Sequence, residues 1–184
     1  VKGLLVLTSG LEHSASTPPV IEQRELVRLA RRWGMRVIGP GSVGLINTDP
    51  DVSLNASLSP QMPLRGGVGL FSQSASIGVS LHAAAHRRQV GVSSVISAGN
   101  RADVSGNDAM QYFEDDEATR AVGIYLESFG NPRKFSRIAR RLALTKPVVV
   151  ARSDVMGSRL PPGHDVRTTA APQGAVDSML EHSG

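Results

Sequence analysis

Three hydroxyls stand close together in Ser72-Gln73-Ser74-Ala75-Ser76, after the apolar run Val68-Gly69-Leu70-Phe71 and before a helical pattern through Ile77, Leu81 and Ala84. At a helix amino terminus the first backbone N–H groups lack intrahelical partners and the helix dipole favours negative charge. Such a loop suits a phosphate or a carboxylate. The same residues also read as ordinary N-capping by serine. No Gly-Lys-Ser or Gly-Lys-Thr occurs, so this is not a P-loop. A second polar stretch, residues 97–108 with Asn100, Arg101, Asp103 and Asn107, is long for a connection. It points either to a binding role or to a run of Asx turns ending in a helix cap.

Two further side chains fit this chemistry. Glu127 is the first residue past the apolar run of Ala121 to Leu126, and reads either as a partly buried orienting carboxylate or as a solvated loop residue. His164 lies in Pro161-Pro162-Gly163-His164-Asp165. An imidazole acts as a nucleophile near neutral pH when a carboxylate, for which Glu127 is available, fixes its tautomer and stabilises the cation that forms. A loop histidine equally fits an incidental surface position. His82 and His86 stand four apart on a helix, as metal ligands do, but no third ligand accompanies them and the intervening alanines read as plain helix surface. No metal site is expected. The absence of cysteine excludes disulfides, thiolate zinc sites, iron–sulfur clusters and a cysteine nucleophile.

The elements that must position these loops follow from periodicity. Gly3 to Leu7 reads as a buried strand, and Leu26, Leu29, Ala30 and Trp33 recur at the spacing of one helix face, stopped by Gly34. Two short extended pieces follow, at residues 36–39 and 43–46, so the first fifty residues resemble the tail of a Rossmann-type unit. Residues 49–66 turn to Ser, Pro, Asn and Gly without periodicity and mark a linker between residues 1–48 and a main domain at 67–184. Beyond it strands are expected at residues 68–71, 92–96, 121–126 and 148–150, alternating with helices of which one carries Asn131 as N-cap and Pro132 at its first position. That alternation implies a doubly wound parallel α/β sheet with both faces covered. Ligands of such sheets bind beyond the carboxyl ends of the strands, where all four loops lie.

Charge and length narrow the classes. The 184 residues carry a formal charge of only +4, and the arginines interleave with apolar residues on two helices, so a nucleic-acid stripe is not indicated. No apolar stretch reaches membrane-spanning length and no signal peptide opens the chain, which leaves a cytoplasmic expectation.

Several motifs, taken in order, carry a family resemblance: Arg36-Val37-Ile38-Gly39-Pro40-Gly41-Ser42-Val43-Gly44-Leu45-Ile46-Asn47, Phe71-Ser72-Gln73-Ser74, Ser97-Ala98-Gly99-Asn100-Arg101-Ala102-Asp103 and Tyr125-Leu126-Glu127. The chain resembles the alpha-type part of NDP-forming acyl-CoA synthetases, relatives of succinyl-CoA synthetase. The resemblance implies a CoA-binding Rossmann domain followed by a flavodoxin-like ligase domain, in which phosphoryl passes from an acyl phosphate to a histidine and on to ADP or GDP. His164 would then be the phosphohistidine and Glu127 its orienting carboxylate. Ser72, Gln73, Ser74, Ala75, Ser76 and Asn100 would hold the phosphoryl group, and Gly39, Pro40 and Gly41 would belong to the coenzyme A side. The nucleotide (ADP/ATP or GDP/GTP) and its Mg would sit on an ATP-grasp domain or subunit outside this chain, with a small carboxylic acid or acyl-CoA as substrate.

Gly41 stands where the family usually has Asn, Ala75 where it usually has Gly, and Pro-Gly-His-Asp replaces Ser-His-Thr-Gly. No glycine-rich first turn for the CoA phosphates precedes residue 1, and a fifth flavodoxin strand is expected but not found, which together suggest an excised piece. A sheet edge left open in this way invites pairing with another copy. Two rival readings are a catalytically inactive acyl-CoA-binding or interaction module, and a flavin-binding domain, for which aromatics to stack on an isoalloxazine are scarce.

Overall fold

A computed structural model describes residues 1–8, 23–129, 131–153 and 173–183. The described chain forms eight strands and five helices. In order they are β1 (Gly3–Leu5), α1 (Gln23–Arg32), β2 (Arg36–Ile38), β3 (Gly44–Asn47), β4 (Leu54–Ser57), β5 (Arg65–Ser72), α2 (Ala75–Arg87), β6 (Val92–Ser97), α3 (Gly106–Asp115), β7 (Ala121–Leu126), α4 (Pro132–Ala143), β8 (Val148–Arg152) and α5 (Gln173–Glu181). β1 and β2 pair in parallel as a small sheet, and the remaining six strands form one sheet in the order β4-β3-β6-β5-β7-β8.

Four of those six strands, β6-β5-β7-β8, are mutually parallel. Numbered from β5, their order is second, first, third, fourth, that of a flavodoxin-like sheet. The chain crosses from β5 to β6 on one side, then returns over β5 to β7, so the winding reverses between β5 and β7. β5 shows how both faces are covered: Leu70 joins Ala85 of α2 and Val92 and Val95 of β6 in one cluster. Its neighbour Phe71 joins Met110 and Phe113 of α3 and Phe135 and Leu142 of α4 in the other. Alternate residues of a strand point to opposite faces, so this near-continuous apolar run serves both layers.

The helix ends are set locally. Asn131 accepts from the Lys134 N–H at 3.0 Å and Pro132 opens α4, as its sequence predicts. Ser105 and Asp108 form a capping box at the start of α3. At the other end of α3, Lys146 Nζ donates to the carbonyls of Phe113, Glu114 and Asp116, at 2.5, 3.0 and 2.8 Å. A cation there satisfies carbonyls that the helix itself leaves open and complements its dipole.

Two elements differ from expectation. The segment of residues 49–66 contains β4, and β3 and β4 form an antiparallel pair joined to β6, adding two strands to the edge of the large sheet. Short strands with little periodicity are legible only through their partners, and β3 finds its partner some fifty residues away in β6. Trp33 lies outside α1 and is 74% exposed, because the helix ends at Arg32 and the Trp33 N–H bonds back to the Ala30 carbonyl in the closing turn. Among the described residues no helix is long and apolar enough to cross a membrane.

The small sheet is fastened to the large one through the loop after β6. Val104 N–H donates to the Val37 carbonyl, Ala102 N–H to that of Gly39 and Asn100 N–H to that of Pro40, at 3.0, 3.2 and 2.9 Å. Asp103, whose side chain is fully buried, accepts from Arg31, from Arg36 and from the Val37 N–H. Burial raises the pKa of this carboxyl. The hydrogen bonds from Arg36, Arg31 and the Val37 N–H outweigh that effect and hold it below the ordinary carboxylate value. A folded pKa below the unfolded one means that the unfolded chain binds more protons, so this stabilisation is present above the unfolded pKa and is lost as pH falls through the folded one. Asp103→Asn is expected to cost about 1–3 kcal/mol at pH 7, a charge-assisted hydrogen-bond magnitude kept modest by the exposure of both arginines. Denaturant titrations at a series of pH values should show that cost shrinking below about pH 4.

Candidate functional site

Three loops meet at the carboxyl ends of β5, β6 and β7, at the point where the winding reverses. Gln73, the first residue after β5, is 6% exposed and spans the gap to β7. Its N–H donates to the Tyr125 carbonyl at 3.1 Å, and its Oε1 accepts from the N–H groups of Glu127 and Ser128 at 2.9 and 3.2 Å. From the third loop Arg101 donates to the Ser128 carbonyl and hydroxyl at 2.9 and 2.6 Å. The Ala98 N–H closes the triangle by donating to the Ser72 carbonyl at 2.9 Å.

Within this frame the serines have separate positions. Ser72 is 1% exposed and its hydroxyl donates to the Ser74 carbonyl at 2.6 Å, so it shapes the loop from beneath. Ser74 is the N-cap of α2, and its Oγ accepts from the Ile77 N–H at 3.5 Å. Ser76 is exposed, and its hydroxyl lies 3.0 Å from that of Ser74. Ala75 opens the helix and is half-buried. The first turn of α2 carries no acidic residue, so its positive end is not offset by a side chain of its own helix. Serine capping is present at this helix end, which lies at the junction of the loops.

Glu127 stands half-buried at the end of β7, its backbone held by Gln73. Asn100 turns toward the other side, its Oδ1 3.6 Å from the point where a Cβ on Gly41 would lie. Gly39 and Gly41 have φ of +102° and +67°. A Cβ on Gly39 would fall 2.2 Å from the Val6 carbonyl oxygen, which only glycine escapes. At position 41 the left-handed conformation suits glycine and also asparagine, the residue type usual in the resembled family. The Gly39-Pro40-Gly41 turn uses its backbone to join parts of the fold: the Gly39 and Pro40 carbonyls receive the loop after β6, and the Gly41 N–H donates to the Thr8 carbonyl at 2.8 Å. His164 lies outside the described residues.

Sequence reasoning missed Arg101 and Asp103 as individual ties. Arg101 adopts φ of +53°, which no local motif announces, and its partner is 27 residues away. His82 corrects an expectation: it is 8% exposed, buried under the loop after β4, with Nδ1 3.0 Å from the Ser59 hydroxyl, and is not helix surface.

Replacing Gln73 by Leu removes one oxygen that two N–H groups share, at about 1–3 kcal/mol for each buried group left without a partner. Hydrogen exchange at the Glu127 and Ser128 amides of Gln73→Leu is expected to accelerate roughly tenfold or more, with exchange in β8 little changed.

Comparison with known proteins agrees with this architecture. The family profile of the succinyl-CoA ligase like flavodoxin domain matches residues 65–184. The alpha subunit of acetate–CoA ligase [ADP-forming] I from Pyrococcus furiosus is 35% identical over 153 residues, which cover 83% of this chain and 32% of that protein. A 4-hydroxybutyrate–CoA ligase [ADP-forming] from Nitrosopumilus maritimus is 29% identical over 191 residues, covering 100% of this chain and 27% of that protein. An acetyl-coenzyme A synthetase 1 from Ca. Korarchaeum cryptofilum, solved in complex with phosphate and ADP, superimposes with a TM-score of 0.84 at 33% identity, covering 99% of this chain and 39% of that one. The chain thus spans about a third of the length of these relatives. With its parallel strands in flavodoxin-like order and the family profile matching from residue 65 to residue 184, the chain belongs to the succinyl-CoA ligase like flavodoxin domain family.

Proposed function

We propose that this chain is the phosphoryl-relay part of an ADP-forming acyl-CoA synthetase, working in the cytoplasm with an ATP-grasp domain or subunit. The observation that carries the reading is the junction of three loops around the amino end of α2, at the reversal between β5 and β7. An anion held there meets N–H groups that the first helical turn leaves open, and the hydroxyl of Ser76 stands exposed beside them. The relatives act on acetate or 4-hydroxybutyrate and form ADP, and one was solved with phosphate and ADP; a small carboxylic acid and an adenine nucleotide are accordingly the substrates proposed here.

In this reading an acyl-CoA and phosphate first give an acyl phosphate and free thiol. A ring nitrogen of His164 then attacks the phosphorus in line. The N–P bond forms as the P–O bond to the acyl group breaks, and the carboxylate departs with the electron pair. The other ring nitrogen keeps its proton, and Glu127 offsets the positive charge that develops on the ring. The end of α2, with Ser74 and Ser76, holds the phosphoryl oxygens in the geometry the transfer needs. Transfer to the nucleotide, with its Mg, takes place on the ATP-grasp partner.

The test uses the intact protein, acyl-CoA and radiolabelled phosphate. Acid-labile, base-stable label is expected on the native protein and absent from His164→Ala. Labelling of Glu127→Gln should slow by on the order of 10²-fold or more. Label retained in His164→Ala removes the histidine from the relay. No label on the native protein under turnover favours the inactive acyl-CoA-binding module instead.

A further inference from the structure

A second concave site lies on the same helix, away from the anion end. Between α2, the loop after β4 and the floor made by β3 and β6 is a cavity of about 300 Å³. Its walls are mostly apolar, with Val43, Ile46, Leu58, Val79, Ala83 and Val95 among them. Leu58 and Val79 stand at its mouth, 63% and 52% exposed. Eight residues separate Ser74 from His82, which along a helix is about 12 Å, so this cavity is separate from the junction of the strand-end loops.

Two imidazoles interrupt the apolar lining, together with Ser57, Ser59, Gln61 and the exposed Arg87. His82 is 8% exposed and its Nδ1 is engaged with the Ser59 hydroxyl at 3.0 Å. That contact fixes the ring and leaves Nε2 buried without a hydrogen-bond partner among the described residues. His86, one turn further along, also lines the cavity, and its Nδ1 is buried in the same condition. A buried polar atom without a partner costs free energy, and two in one cavity call for an explanation in terms of what the cavity takes. A metal ion does not supply it, since among the described residues no three His, Cys, Asp or Glu side chains stand together to hold one. Burial, followed by repulsion from His86, also holds His82 below its ordinary pKa. A neutral ring does not attract a carboxylate, but it pairs readily with a group that both donates and accepts.

We infer that this cavity is a binding site for a small, uncharged, mainly apolar molecule carrying one hydroxyl, of the phenol class, whose oxygen is recognised by the His82 and His86 rings. The volume is at the lower end for small-molecule sites, which are typically apolar with a few placed polar groups. The hydroxyl suits the rings because it serves as donor to one nitrogen and acceptor from the other. A site built to pair a hydroxyl discriminates against the analogue that lacks it, because its own polar atoms are then left unpaired.

The test compares p-cresol with toluene, which shares its shape but lacks the hydroxyl, by calorimetric titration of the full protein. Saturable binding of p-cresol is expected, at least tenfold tighter than that of toluene. Val79→Phe, at the exposed mouth, should abolish binding of both. His82→Leu should bring the two affinities together, and Ser59→Ala, which frees the ring, should narrow the gap in the same direction. Equal affinity for the two compounds in the native protein overturns the inference. So does failure of p-cresol to bind, or binding that Val79→Phe leaves unchanged. None of these residues belongs to the proposed phosphoryl relay, so loss of phosphohistidine and loss of p-cresol binding are separate results.

Discussion

Two backbone N–H groups at the end of β7, those of Glu127 and Ser128, converge on one oxygen, Oε1 of Gln73. A parallel sheet that reverses its winding leaves a gap between the two strands at the reversal, because their connections leave toward opposite faces. The loops there lose the ladder that pairs the strands below them, and each polar backbone group needs another partner. Gln73 supplies it with a side chain rather than a strand, and so holds the gap at a set width. Arg101 adds a second brace from the side of β6. The end of α2, the start of the β7 loop and the loop after β6 are thereby fixed around one point, as the proposed relay requires.

The join between the two sheets uses a different kind of force. The apolar clusters described for the large sheet lie within it and its covering helices. The small β1–α1–β2 unit is held to the loop after β6 by backbone hydrogen bonds and by the buried carboxylate of Asp103 between two arginines. Directional bonds of this type set an orientation more narrowly than apolar contact does, at less gain in free energy per residue. The Gly39-Pro40-Gly41 turn lies within the same join. The loop after β6 therefore serves both sides: Asn100, Ala102, Asp103 and Val104 face the small sheet, and Arg101 between them reaches the opposite way to Ser128.

α2 contributes to both the proposed relay and the apolar cavity. Its amino end is capped by Ser74 and left positive, and further along His82 and His86 face an apolar cavity walled by the strands added at the sheet edge. Those edge strands give the helix its second neighbour. Without β3 and the loop after β4 the histidines would stand on open helix surface, as their spacing by itself suggests.

Most of the ligase-type sheet was legible from residue order. Strands at β5, β6, β7 and β8 declare themselves by apolar runs, α4 by its Asn-Pro start, and the serines after β5 by lying between a strand and a helix, because each of these signals depends on neighbours within a few residues. The meeting of the candidate loops at the strand ends follows as well, since alternating strands and helices have one common handedness. Only the tertiary structure decided that β3 and β4 lengthen the large sheet, that Ser72 is buried while Ser76 is exposed, that Gln73 and Arg101 tie the loops, and that His82 is internal. Each of those facts rests on a partner tens of residues away in sequence, or on which side of a backbone another segment happens to pass. Local spacing can specify a helix face or a cap, but it carries no information about what comes to lie against it.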